Sequence, residues 1–168
     1  ANEMFLDSSS LRSSAVSHAK MLGYEVTSAR APKAIINVNL TTGDATKTLA
    51  AGTAFTTTVD GVNYQFVTIA DRTAANSGNV VTFDSVDIYE GTYVIGKSIV
   101  DTSNPDQKFT LTDPSADTST LTVKVQNSTS DTTTTTYTKA TDITQLSASS
   151  TVYYLQEVER GRFEVYFG

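Results

Sequence analysis

The apolar positions of this chain first recur at helical spacing and then, from residue 34 onward, at a spacing of two. Leu11, Ala15, His18 and Leu22 form one helical stripe, widened by Val16, Ala19 and Met21. Any of Asp7, Ser8, Ser9 and Ser10 could cap this helix, and Gly23 is placed to stop it. Ala34, Ile36, Val38 and Leu40 then alternate with Asn37 and Asn39, the pattern of a half-buried strand. The sharpest local signal is Val59-Asp60-Gly61-Val62, because Asp-Gly suits a type I′ hairpin in which both central residues need positive φ. A two-residue loop there predicts Val59 opposite Val62, Thr57 opposite Tyr64 and Phe55 opposite Phe66. Val80 to Tyr89 and Tyr93 to Val100 read as two more strands around Glu90-Gly91.

Asp101 to Asp106 is polar, contains Pro105, and breaks the pattern. Phe109 and Leu111 open a second β-region, in which Leu121, Val123 and Val125 alternate with Thr122, Lys124 and Gln126. Ser128 to Thr136 is a low-complexity Ser/Thr/Asp run, read as an exposed loop or a weak edge. The final hairpin turns at Arg160-Gly161. A two-residue loop gathers Val152, Tyr154, Gln156 and Val158 with Phe163, Val165 and Phe167. A three-residue loop would set Glu157 against Phe163 and Val158 against Arg162, so the apolar pattern selects the shorter loop.

These elements predict a mainly β fold with one N-terminal α-helix and two antiparallel, sandwich-like β-subdomains. The expected organisation is a helical segment over 1–30, a first β-subdomain over 31–107 and a second over 108–168. The last strand still reads as a strand at Gly168, so truncation of the second subdomain is expected. Abundant Thr, Val and Ile, with seven Phe and eight Tyr, strengthen the β reading. Charged residues are 18% of the chain, below the roughly 25% typical of globular domains. Such a sparsely charged surface is common in proteins that pack against neighbours, and equally in extracellular β-modules.

The net charge of −6 and the absence of a basic stripe argue against nucleic acid, whose binding depends on displacing counterions. An anionic membrane surface would repel the chain, and no apolar stretch approaches the about 20 residues needed to span a bilayer. The first residues lack the basic start and apolar run of a signal peptide. With no Cys there are no disulfides or thiolate metal sites.

Candidate chemistry is sparse. His18, the single His, lacks the partners a general base or metal ligand needs, and reads as packing or interface. Glu157, Glu159 and Glu164 are close enough in sequence to evoke a carboxylate pair, but Arg162 opposite Glu159 gives an ordinary cross-strand ion pair in the favoured register. Asp84 with Asp87, and Asp113 with Asp117, lack the ligand order of a calcium loop and read as turn residues and strand ends. Gly91 to Gly96 lacks the Lys-Ser/Thr of a phosphate-binding loop. The sequons at Asn39 and Asn127 are expected by chance in a Thr-rich chain. The expectation is no catalytic residue, no cofactor and no metal.

The order of motifs carries a resemblance. Leu11-Arg-Ser-Ser-Ala-Val-Ser-His-Ala-Lys-Met-Leu-Gly-Tyr24 followed by Ala31-Pro-Lys33 resembles the wedge subunit of contractile-tailed phage baseplates. Gly52-Thr-Ala-Phe-Thr56 followed by Asp60-Gly-Val-Asn-Tyr-Gln-Phe66 is similar to the same subunit and to the broader baseplate J-like family. Asp117 to Val125 and Tyr154 to Gly168 resemble that wedge family too, especially its marine, cyanophage-type branch. The likeness covers nearly the whole chain with matching order and spacing. In that family the last strand continues through another Asp-Gly turn, and no catalytic residues are known. The resemblance implies an assembly role in the virion, built up in the host cytoplasm. Subunits pair with themselves and with other wedge proteins to form a ring around the tail hub, and some contacts rearrange on contraction. The helix then has two readings: Leu11, Ala15, His18 and Leu22 cover one end of the β-core, or they form a subunit interface. The rival function is a host-surface or glycan-binding β-module of adhesin or tail-fibre type, which would need a groove with exposed aromatics, Tyr153, Tyr154 and Tyr166 being the candidates.

Overall fold

The alternation of apolar residues in the first β-region breaks once, between Phe83 and Val86, and that break shapes its sheet. In the computed structural model, which describes all residues except 1, 6, 25, 105, 141–146, 148, 159, 160 and 168, residues 31–95 form one unit and residues 1–30 with 96–168 another. The chain is mainly β, with one N-terminal helix, α1 (Arg12–Met21), and two largely antiparallel sheets. The helical segment therefore groups with the second β-region, and the division falls ahead of the polar stretch 101–106.

The first unit contains β1 (Lys33–Thr41), β2 (Thr46–Leu49), β3 (Ala54–Val59), β4 (Val62–Val67), β5 (Arg72–Ser77) and β6 (Val80–Glu90). β1 pairs along the length of β6, while β5 and β4 share the opposite edge of β6 at its two ends. Between Ile36↔Val86 and Val38↔Phe83 the register shifts, so Asp84 and Ser85 together oppose Asn37. Ser85 takes the left-handed conformation, φ 52°. The extra residue switches side-chain parity, and Val81, Phe83, Val86 and Ile88 all reach the core with Ala34, Ile36, Val38, Leu49, Phe55, Phe66 and Ala74. The bulge does not leave its polar groups idle. Ser85 N donates to Asn37 Oδ1 at 2.8 Å, and Arg72 Nη1 donates to the Asp84 and Ser85 carbonyls at 3.0 Å.

The Asp60-Gly61 hairpin has the expected register, Val59↔Val62 through Phe55↔Phe66, with φ of 51° and 79° at its centre. A second hairpin of the same kind joins β5 to β6 at Gly78-Asn79, φ 62° and 66°. The strand expected at 93–100 is absent: these residues are irregular, and Val94, Ile95, Ile99 and Val100 are exposed. The reason is geometric, since both edges of β6 are already taken and no hairpin can close at Glu90-Gly91.

The second sheet runs in the order β7 (Lys108–Thr110), β11 (Phe163–Tyr166), β10 (Val152–Glu157), β9 (Thr134–Lys139) and β8 (Val123–Gln126). Among the described residues its one parallel pair is β9 with β10. The Thr-rich segment 134–136, expected in a loop or weak edge, lies in β9 and pairs there with β8 alone, β10 joining only at Thr138 and Lys139, and its side chains stay exposed. Threonine suits a pleated surface as well as valine does. The apolar face holds Tyr153, Phe163 and Val165, with Phe167 edge-on to both Phe109 and Tyr137.

The final hairpin corrects the expected register by one residue. Gln156 pairs with Glu164 and Glu157 with Phe163, and Val158 N donates to Arg162 O at 2.9 Å. The buried set on the apolar face is thus Tyr153, Glu157, Phe163 and Val165, while Val158 faces water. Glu164 faces Gln156 rather than Glu157. Glu159 lies outside the described residues, so the expected pairing with Arg162 falls there too. An acidic residue on an apolar face is costly alone; here Arg12, 145 residues away, neutralises it.

Candidate functional site

The arm formed by residues 2–24 carries the four residues of the predicted stripe. Its helix is not capped by the serine run. Leu11 occupies the N-cap position and makes no side-chain cap. The carboxylate of Glu3 takes that role from outside the helix, accepting from Ser10 N at 3.0 Å, Ser10 Oγ at 2.7 Å and Leu11 N at 3.3 Å. These donors, Ser10 foremost, hold the Glu3 carboxyl down at about 2. At the other end Gly23 adopts φ 81°, and Tyr24 N returns to Ala19 O at 2.9 Å, closing the helix as expected.

The stripe divides in two. Ala15 and His18 are half-buried, whereas Leu11 and Leu22 are 58% and 65% exposed. His18 Nε2 donates to the Glu3 carbonyl at 2.8 Å, fastening the short 3-10 turn Asn2–Met4 to the helix. It is a structural tie within the arm. Met4, Phe5, Met21 and Tyr24 are exposed alongside Leu11 and Leu22, so one arm presents six large apolar side chains to water.

What anchors the arm was invisible to pattern reading. Arg12 Nε and Nη2 both reach Glu157 Oε1 at 2.9 Å, and Gly161 N donates to the same oxygen at 3.0 Å. The Glu157 side chain is only 4% exposed, the Arg12 side chain 60%. Oε2 of Glu157 is buried without a hydrogen-bond partner. A second tether joins Ser28 Oγ to Thr118 N at 2.8 Å. Two clefts flank this anchor, about 570 Å³ beside Leu11, Arg12, Val16 and Val158, and about 280 Å³ beside Tyr24, Val26 and Leu155. Lys20 and Glu157 line both. On the opposite sheet face Glu164, also buried, is held by Lys108 Nζ at 3.1 Å and by the Gln156 amide.

The other candidates resolve into local structure. Asp87 pairs with Lys33 at 2.8 Å, Asp113 accepts from Ser115 N, and Asp117 accepts from Ser119 N. Among the described residues no group of three His, Asp or Glu is placed to hold a metal ion, and no helix is long and apolar enough to cross a membrane. The three tyrosines do not line a common groove. Tyr153 is buried, which pushes its phenol pKa up, while Tyr154 and Tyr166 stack on each other with centroids 5.1 Å apart. No protein-family model matches this chain, and no curated protein matches it.

Proposed function

We propose that the chain is a structural component of a phage tail baseplate wedge, which associates with itself and docks to other wedge proteins. The observation that carries the reading is the arm. It exposes Met4, Phe5, Leu11, Met21, Leu22 and Tyr24 on an element tied down by the Arg12–Glu157 pair. Clustered large apolar side chains exposed on one element mark association sites, and each one removed from water contributes about 1.5–3 kcal/mol. The motif order described above supports the same role.

The test is light scattering of the chain across a concentration series, alone and mixed with the wedge proteins encoded beside it. Self-association, or a stable complex with any of them, is the expected result. A particle that remains monomeric alone and in every mixture overturns the proposal. A chain lacking residues 1–30 assigns the arm: weaker association supports the interface, whereas unchanged association with lower thermal stability returns the arm to a purely structural role.

A further inference from the structure

We propose that α1 is an exchangeable arm, and that in the associated protein Arg12 of one copy seats on Glu157 of a second copy; this rests on the self-association proposed above. The seat and the key are built differently. Glu157 is fixed within β10, almost wholly buried, and demands a cation. Arg12 sits on a helix none of whose residues is fully buried, and open clefts border it. Lifting the helix away uncovers Ala15, Val16 and Ala19, which are half-buried, and no fully buried side chain of the helix. Its main cost is the Arg12–Glu157 pair, which an identical arm from another copy restores in full.

Connectivity removes the constraint that would keep the contact within one chain. The arm continues through residues 22–32, whose described members form no helix or strand, into 31–95, which fold as a separate unit; the sheet holding Glu157 begins only at β7. Exchange of an identical element is a low-cost route to a dimer. Charge complementarity names the occupant, because the buried Glu157 carboxylate calls for a cation, and the identical arm of another copy carries the guanidinium that already fits it.

The experiment is charge-reversal complementation in the full chain, read as mass by light scattering. Arg12→Glu and Glu157→Arg are each expected to raise the dimer Kd roughly a hundredfold or more, as loss of a buried charge pair does. An equimolar mixture is expected to recover association, because the reversed arm of one meets the reversed seat of the other. Circular dichroism confirms that each variant folds. If Glu157→Arg does not fold, Arg12→Gln and Glu157→Gln provide the same comparison, the mixture regaining one native pair. A wild-type dimer that neither variant weakens, or variants whose mixture stays as weak as each alone, overturns exchange while leaving self-association intact. A wild-type chain that never associates overturns both.

Discussion

Removing Ser85 should destabilise the first unit far more than the loss of one exposed serine suggests. The residue adds a position to β6 opposite Asn37, and it brings Val81 and Phe83 onto the same face as Val86 and Ile88. All four are at most 5% exposed. Without Ser85 the alternation runs unbroken, so one of the two pairs must turn to the outer face. Two such side chains returned to water cost about 3–6 kcal/mol, set against roughly 5–15 kcal/mol for a whole domain. Urea unfolding gives the magnitude, and hydrogen–deuterium exchange of peptides spanning 33–41 and 80–90 gives the location. Ser85→Gly should act in the opposite sense. It keeps the bulge and relieves the left-handed φ of 52°, a penalty of roughly 1–2 kcal/mol partly offset by the greater unfolded-state freedom of glycine. A deletion variant with an unchanged urea midpoint and full protection in both strands would refute the parity argument.

Three further outcomes follow from single sites. The Glu3 carboxyl is depressed to about 2, so its stabilisation of α1 is fully present above the ordinary carboxylate range and is lost as pH falls toward 2; amide exchange in residues 12–21 should accelerate across that window, and Glu3→Gln should flatten the profile. Thr68 is 2% exposed, donates to Ala50 O at 2.7 Å and accepts from Thr53 N at 3.1 Å. Thr68→Val should cost about 1–3 kcal/mol and Thr68→Ser clearly less in a thermal melt; equal losses would remove the hydrogen-bond explanation. Gly52 has φ 83°, and a Cβ there would lie 3.0 Å from Tyr93 Cδ1. Gly52→Ala should therefore lower stability by about 1–2 kcal/mol from backbone strain alone, and adding Tyr93→Ala should relieve only the contact with the ring.

Local chemistry was legible in the sequence, and long-range compensation was not. The Asp60-Gly61 hairpin needs nothing beyond its own turn and flanking alternation, and its register was readable. Gly78-Asn79 carried an equally local signal, a two-residue turn between apolar-containing strands, and could have been found the same way. The final hairpin was misread because Glu157 on an apolar face looks forbidden until Arg12 arrives from the other end of the chain. Tyr93 to Val100 has a strand's composition, but no free edge of β6 to pair with. The helix and its Gly23 stop were predictable, whereas Glu3 as the cap was not, since it acts across a 3-10 turn. Of the candidate stripe, Ala15 and His18 turn inward, Leu11 and Leu22 do not, and Arg12, absent from that stripe, is the residue that anchors the arm.

The 145-residue separation between Arg12 and Glu157 also sets an order of events during synthesis. At about 5–20 residues per second, α1 leaves the ribosome some 7–30 s before its seat is made. Residues 31–95 have all emerged within that interval and can fold on their own contacts. The arm meanwhile waits with its guanidinium and apolar side chains uncovered. Until translation reaches β10 the chain has no Glu157 to offer, so the contact that holds the arm can close only after that strand is made.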